Sequence, residues 1–301
     1  MRAILFQIVV VVFLSLVIGC AGARKSGLCE DLGTAAAKKG DLGAAEAAAS
    51  DAWKNRKDIK SLKKAVASLR EAVAIDPKKT GNYVRLAKAL YLLGDGYYRF
   101  DEDKEEDMLN ALKEATFFAE RALKIQNPKF AFSVCARDSF KTTVKTLTKK
   151  DVPAVYWYAV ALGKYGLAKS IMIVLDNKDR IYAMMRYILK NHPDYWHGAA
   201  ARYLGAFHTK IPFPKGDAKK SKKYFLKSIK QAPNYLATRV LMAQMLAPKL
   251  KDRAMFKKQL ERVINAPLNI MPQFEAEHAI EKRKAKELLE NIDDIFPPSE
   301  G

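Results

Sequence analysis

Histidine and cysteine are scarce, with four His and three Cys in 301 residues. His192, His197, His208 and His278 form no metal or triad spacing, and no Cys-x-x-Cys occurs, so a zinc site has no support. Gly-x-Ser-x-Gly, Walker and His-Glu-x-x-His patterns are also missing, which leaves nucleophile-elbow, phosphate-loop and metalloprotease chemistry without a signature. Gly94-Asp95-Gly96 has part of a dinucleotide fingerprint, but it follows a helical pattern and not a strand. The sequence points to a binding protein and not an enzyme, and it implies no cofactor. Acidic residues are in deficit, 33 against 53 Lys and Arg, giving a net charge of +20. Such an excess raises nucleic acid as a partner. The lysines, however, are spread along the chain and mixed with acids, as on solvated helix faces. The N-terminus also directs the chain out of the cytoplasm. Nucleic acid is therefore set aside in favour of acidic protein surfaces or anionic membranes.

Residues 1–19 read as a secretory signal. Arg2 supplies the positive start, and Ala3 to Ile18 are apolar apart from Gln7 and Ser15. The run is short for a membrane span, which needs about 20 apolar residues. Leu16-Val17-Ile18-Gly19-Cys20 resembles the lipobox of bacterial lipoproteins. That resemblance implies cleavage before Cys20, a diacylglycerol on its thiol and usually an acylated new N-terminus. Two or three acyl chains anchor firmly where one does not. By resemblance to Gram-negative lipoproteins, Ala21 in place of Asp implies the periplasmic side of the outer membrane. Residues 20–40, small and polar, read as the lipidated Cys and a tether. Cys29 reads as a tether thiol and Cys135 as a buried core thiol, although the periplasm permits a disulfide between them.

Beyond residue 40 nothing looks like strand. Amphipathic helical patterns alternate with short Pro, Gly, Asn and Asp punctuation. Ala65-xxx-Leu69-xx-Ala72-xxxx-Pro77 matches the second-helix pattern of a tetratricopeptide repeat, and Ser221-xxx-Phe225-xx-Ser228-xxxx-Pro233 repeats its spacing. Ile181, Met185, Ile188 and Pro193 repeat it with larger residues. Ala115, Ala119, Ala122 and Pro128 repeat it with one extra residue. Leu93-Gly94, Leu162-Gly163 and Leu204-Gly205 recur in the first helices. Glycine inside a helix costs about 1 kcal/mol, so its recurrence predicts close helix packing.

The fold class is all-α, an irregular tetratricopeptide-like helical-repeat solenoid over residues 41–296, followed by a tail at 297–301. Helical inserts are expected near 129–148, and a fifth helical pair near 234–266. A charged helix from about 273 to 292 could cap the array. The acidic run Asp101 to Asp107 reads as a solvated turn at a helix N-terminus, and Asp217 as a helix cap. Tyr156-Trp157-Tyr158 and Tyr195-Trp196 open the third and fourth repeats. On consecutive helical positions such residues cannot all face one way, so some pack in the core and others reach the groove or the surface. By repeat register, Tyr91, Tyr98 and Trp157 fall on the concave side and are candidate groove contacts.

Several features together resemble the T-component family of TRAP (tripartite ATP-independent periplasmic) transporters. They are the lipobox followed by irregular repeats, the segment Ala154–Ala159 with Leu162-Gly163, the segment Tyr195–Phe207, and Pro212–Asp217 with Ser221–Phe225. Lys215 stands where the family is expected to have a glycine. The resemblance implies a trimeric lipoprotein that associates with a periplasmic solute-binding P-component and hands over a small, hydrophobic ligand. The alternative is a lipid-anchored scaffold for envelope or pilus assembly. Cys20→Ser removes the thiol that lipidation needs. The expected outcome is accumulation of a longer precursor that no longer partitions into detergent; an unchanged mature mass would contradict the anchor.

Overall fold

Short polar side chains start seven of the fifteen α-helices of the described residues by accepting the orphan N–H groups of the first turn. Asp41 accepts from the Ala44 N–H to begin α1 (Leu42–Lys54), and Asp58 accepts from Lys60 and Ser61 to begin α2 (Ile59–Ile75). The chain continues through α3 (Thr80–Gly96), the acidic turn, and α4 (Glu105–Gln126). Asn127 caps α5 (Pro128–Cys135) and Ser139 caps α6 (Phe140–Thr143). Next come α7 (Val152–Lys169), α8 (Ile171–Asn191) and α9 (Ala199–Lys210). Asp217 accepts from the Lys220 N–H to start α10 (Ala218–Gln231).

Beyond α10, α11 (Ala237–Leu241) runs through a π-turn, Met242–Leu246, into α12 (Ala247–Lys249). The irregular turn precedes Pro248, which has no N–H to continue the ladder. The last helices are α13 (Arg253–Ile264), α14 (Glu275–Glu290) and α15 (Ile292–Ile295). The computed structural model describes residues 24–31, 36–212 and 214–297. No strand occurs among them, and none of their helices is long and apolar enough to cross a membrane.

Neighbours in sequence pack as neighbours in space: α1 on α2, α2 on α3, α3 on α4, α7 on α8, α8 on α9 and α9 on α10. The α5–α6 insert is looped out, so α4 packs directly on α7. The alanines of the repeat pattern behave as that pattern requires. Ala65, Ala72, Ala115 and Ala122 are fully buried, as are Ser221 and Ser228 of the matching positions in α10. The helical glycines mark close crossings. A Cβ on Gly163 would lie 2.1 Å from the Tyr203 hydroxyl, and one on Gly205 would lie 2.8 Å from the Phe225 ring. Larger residues there would force the α7–α9 and α9–α10 crossings apart.

The fold differs from the sequence reading at the N-terminal segment, at Cys135 and at α14. Residues 24–30 are not a free tether. Both guanidinium nitrogens of Arg24 donate to the buried Glu120 carboxylate at 2.7 Å, the Gly27 N–H donates to it at 2.9 Å, and Leu28 is buried. Secondly, Cys135 is exposed and is bonded to Cys29, with Cα atoms 5.4 Å apart, so neither is a free thiol. The apolar stretch around Cys135 buries Phe130, Ala131 and Val134, which leaves the opposite side of α5 outward.

The third difference concerns α14. It does not lie as a polar cap on the end of the array. Ala276, His278, Ile280, Lys284 and Ala285 are buried on it, and it joins the last repeats to the first. Arg56, between α1 and α2, donates to Glu277 at 2.7 Å and 3.0 Å. Ile280 packs against Gly96 of α3. Lys284 donates to Asp95 of α3 at 2.9 Å. On the same carboxylate, Lys164 of α7 donates at 2.8 Å and Tyr91 at 3.3 Å. The solenoid is thereby closed into a ring.

Burial opposes the Asp95 charge, but Lys164, Lys284 and Arg99 outweigh it and hold the carboxyl far below the usual carboxylate range. A group whose folded pKa is depressed stabilises fully above its unfolded value, about 4. That contribution is lost as pH falls toward the folded value, so the closure persists through mildly acid pH. Asp95→Asn leaves the half-buried Lys164 without a carboxylate and the buried Lys284 with Glu281 alone. The expected loss in chemical denaturation at pH 7 is roughly 3–5 kcal/mol. Glu114→Gln removes the partner of Arg70 in a half-exposed pair, with an expected effect below about 1 kcal/mol. Equal effects of the two substitutions would contradict the closure.

Candidate functional site

Closing the ring leaves a partly open cavity of about 150 Å³ between the concave faces of α3, α7 and α9 and the inner face of α14. A space of that size holds a molecule of one ring or a short chain. Its wall is mainly apolar and aromatic, with a few polar groups, which is the usual composition of a small-molecule site. Tyr91, Trp157, Trp196 and Tyr235 supply the aromatic part, and Leu92, Val160, Phe207 and Ile280 the aliphatic and remaining apolar part.

The aromatic wall is assembled from three segments. Tyr91 on α3 meets Trp157 on α7, with ring centroids 5.5 Å apart. Trp157 meets Trp196 edge-on at 5.6 Å, and Tyr156 meets Tyr195 at 5.5 Å. Tyr195 and Trp196 do not lie on a helix, which corrects the sequence reading. Trp196, His197 and Gly198 all have left-handed backbone, with φ of 48°, 59° and 69°. For the two residues with a Cβ this costs on the order of 1–2 kcal/mol each. Surrounding rings hold the turn: Phe274 meets Trp196 at 5.5 Å and His197 at 4.8 Å, and His197 stacks on Tyr235 at 5.3 Å. Non-glycine residues in left-handed backbone cluster at ligand-binding sites. Of the turn's rings, Trp196 lines the cavity, while Tyr195 packs on Tyr156 and His197 on Tyr235 and Phe274.

Cationic groups break the apolar wall. The Lys88 ammonium lies 4.5 Å from the centre of the Trp53 ring and 4.3 Å from that of Trp196. Among the described residues no group accepts a hydrogen bond from it. Burial pushes its pKa down to about 8, with Glu277 opposing and Arg56 assisting. Arg202 is buried over the Tyr235 ring at 4.6 Å. It donates to the His197 and Trp196 carbonyls at 3.1 and 3.4 Å and to the Tyr156 hydroxyl at 3.3 Å, with no carboxylate partner among the described residues. His278 lines the same cavity and is 1% exposed, with the Leu268 backbone as the polar group beside its ring. Burial lowers its pKa, so the neutral ring offers one donor and one acceptor. The cavity thus presents charge and hydrogen-bonding capacity that the protein leaves unused.

Of the sequence candidates, Tyr91 and Trp157 line this cavity. Tyr98 lies instead in the 3-10 turn after α3, half-buried against the first-repeat core, with the Lys63 ammonium 5.4 Å from its ring centre. Cys20 lies outside the described residues. Lys88, Arg202 and His278 were missed: each sits inside a helical pattern, where Lys and Arg read as solvated and His as unremarkable. Lys215, at the position that departs from the expected family pattern, pairs with Asp179, while its carbonyl meets His208 Nδ1 at 2.8 Å.

Within the described residues no group of three or more His, Cys, Asp or Glu is placed to hold a metal. No curated protein gives a significant match to the chain. The sequence profile of the TRAP transporter T-component family matches residues 109–296, from α4 through α15, which is more than half of the chain. The chain therefore belongs to the T-component family of TRAP transporters, a family of transport accessory proteins and not of enzymes.

Proposed function

We propose that this T-component receives a small organic anion with an apolar or aromatic body in the cavity of the ring and passes it to a periplasmic solute-binding P-component. The observation that carries the reading is Lys88, an ammonium held between two indoles with no anionic hydrogen-bond partner of its own. Lys88 is half-buried, and Glu277 acts on its charge without a hydrogen bond; a cation drawn out of water with so little compensation is costly. A ligand carboxylate or similar group at Lys88, with Arg202 and His278 nearby on the same wall, supplies the missing charge, and the aromatic wall covers the ligand's apolar part.

Family membership supports the transport setting. Lipidation at Cys20 would hold the protein at the periplasmic side of the outer membrane, and a trimer would present three cavities to P-components. The +20 charge suits an acidic partner surface, whose encounter rate falls with added salt.

The test titrates the chain beginning at Ala21 with short aryl and alkyl carboxylates, following the emission of the cavity tryptophans. An ammonium of pKa near 8 is charged below that pH, so affinity for the anion should fall as pH rises through 8. Lys88→Gln should weaken binding by roughly tenfold to a hundredfold, the worth of one charge-assisted hydrogen bond, and should remove the pH dependence. The corresponding alcohols should bind wild type and variant alike. Equal affinity for carboxylates and alcohols in the wild type would reject the anion reading. Failure to capture a solute-binding protein from native envelope would reject the partner.

A further inference from the structure

The disulfide and the Arg24–Glu120 clamp place the start of the described chain at one position on the body, beside α4 and α5. Four chain steps separate Cys20 from Arg24. Fully extended, they reach at most about 14 Å. If lipid enters the membrane at Cys20, the body is held close to the lipid headgroups on the side where Arg24 is clamped. That distance is comparable with the screening length of about 8–10 Å at physiological ionic strength. A tether running freely from residue 20 to 40 would set no such limit.

The surface next to the clamp has the chemistry of a lipid-facing patch. Phe132 is 75% exposed, more than any other large apolar side chain among the described residues. It lies three residues from Cys135 on α5, on the same outward side of the helix. Lys129 is one turn further back, and Arg137, Lys141, Lys145, Lys149 and Lys150 follow, all exposed. None of these six forms an ion pair within the described residues. The acids of the insert offset only part of this charge: Asp138 and Asp151 against six cations leave 6 − 2 = +4 between residues 129 and 151. The strap's own charges, Arg24 and Lys25 against Glu30 and Asp31, nearly cancel. An exposed aromatic ring among unpaired cations is the combination that inserts at an anionic membrane interface.

We propose that the α5–α6 insert is a membrane-apposed face, which seats Phe132 among the headgroups of an anionic lipid surface and so fixes how the closed ring stands on the membrane. The proposal rests on the lipid-anchor reading of Cys20. The disulfide is its positioning device: it keeps the anchor point and the patch on the same side of the molecule.

The experiment reconstitutes the lipidated protein into vesicles of phosphatidylcholine with phosphatidylglycerol and labels its lysines with an amine-acylating reagent, read by peptide mass spectrometry. Lys129, Lys141 and Lys145 should be labelled several-fold less than in detergent, while Lys222 and Lys227 on α10 should be unchanged. Phe132→Ser should restore part of the labelling. The Cys29→Ser, Cys135→Ser double variant should restore more while the protein stays anchored, with circular dichroism checking that it remains folded. Vesicles of phosphatidylcholine alone should protect less. Equal labelling of both lysine sets in a protein whose mass carries the lipid would overturn the face and leave the anchor standing. A mature protein without lipid would overturn both. Protection that needs an added protein partner and not anionic lipid would also overturn it.

Discussion

Asp95 receives charge from three parts of the chain at once. Lys164 arrives from α7 and Lys284 from α14, while Arg99 follows on the turn after α3. A carboxylate this buried is unfavourable alone and is stable only because the ammonium groups meet it in hydrogen-bonding geometry. Its consequence is topological. Helical repeats contact only their neighbours and end in open faces; here the last long helix is drawn across to the first repeat. Closure adds a further wall to a concave groove, and it buries His278 and Ile280 on α14. The Arg56–Glu277 pair fastens α14 at a second point.

The cavity combines two features that reinforce one another. The left-handed turn at Trp196 and His197 brings aromatic faces toward Lys88 and Arg202, and each cation gains attraction from a ring. Rings can lie against a cation without neutralising it, and they keep water away. The result is a charged group whose remaining demand is for an anion. In open water the same lysine would be satisfied by solvent and would discriminate little.

Much of the fold was legible in the sequence because it depends on local spacing. Ala65 and Ala72 recur at repeat intervals because two helices must cross there, and both are fully buried. Gly163 and Gly205 announced tight crossings, and the rings of Tyr203 and Phe225 fill the space above them. The ring closure was not legible. Asp95 and Lys284 are 189 residues apart, and each lies in a helical stretch where a charge ordinarily means solvent. The turn at Trp196 was also hidden, because Tyr and Trp tolerate helix well and only tertiary packing forces the backbone left-handed. Of the site, the aromatic residues Tyr91 and Trp157 were found through repeat register. The cations were not, since burial and not residue type gives Lys88 its character.

The central claim is that the closed ring carries an organic anion. Native mass spectrometry of the protein taken gently from its own envelope tests this most directly. The account predicts a mass excess of one small molecule per chain, released on denaturation, that behaves as an organic acid and is retained less at pH above about 8. A chain of bare mass from an envelope known to be transporting, or a released ligand that is neutral or cationic, would contradict it.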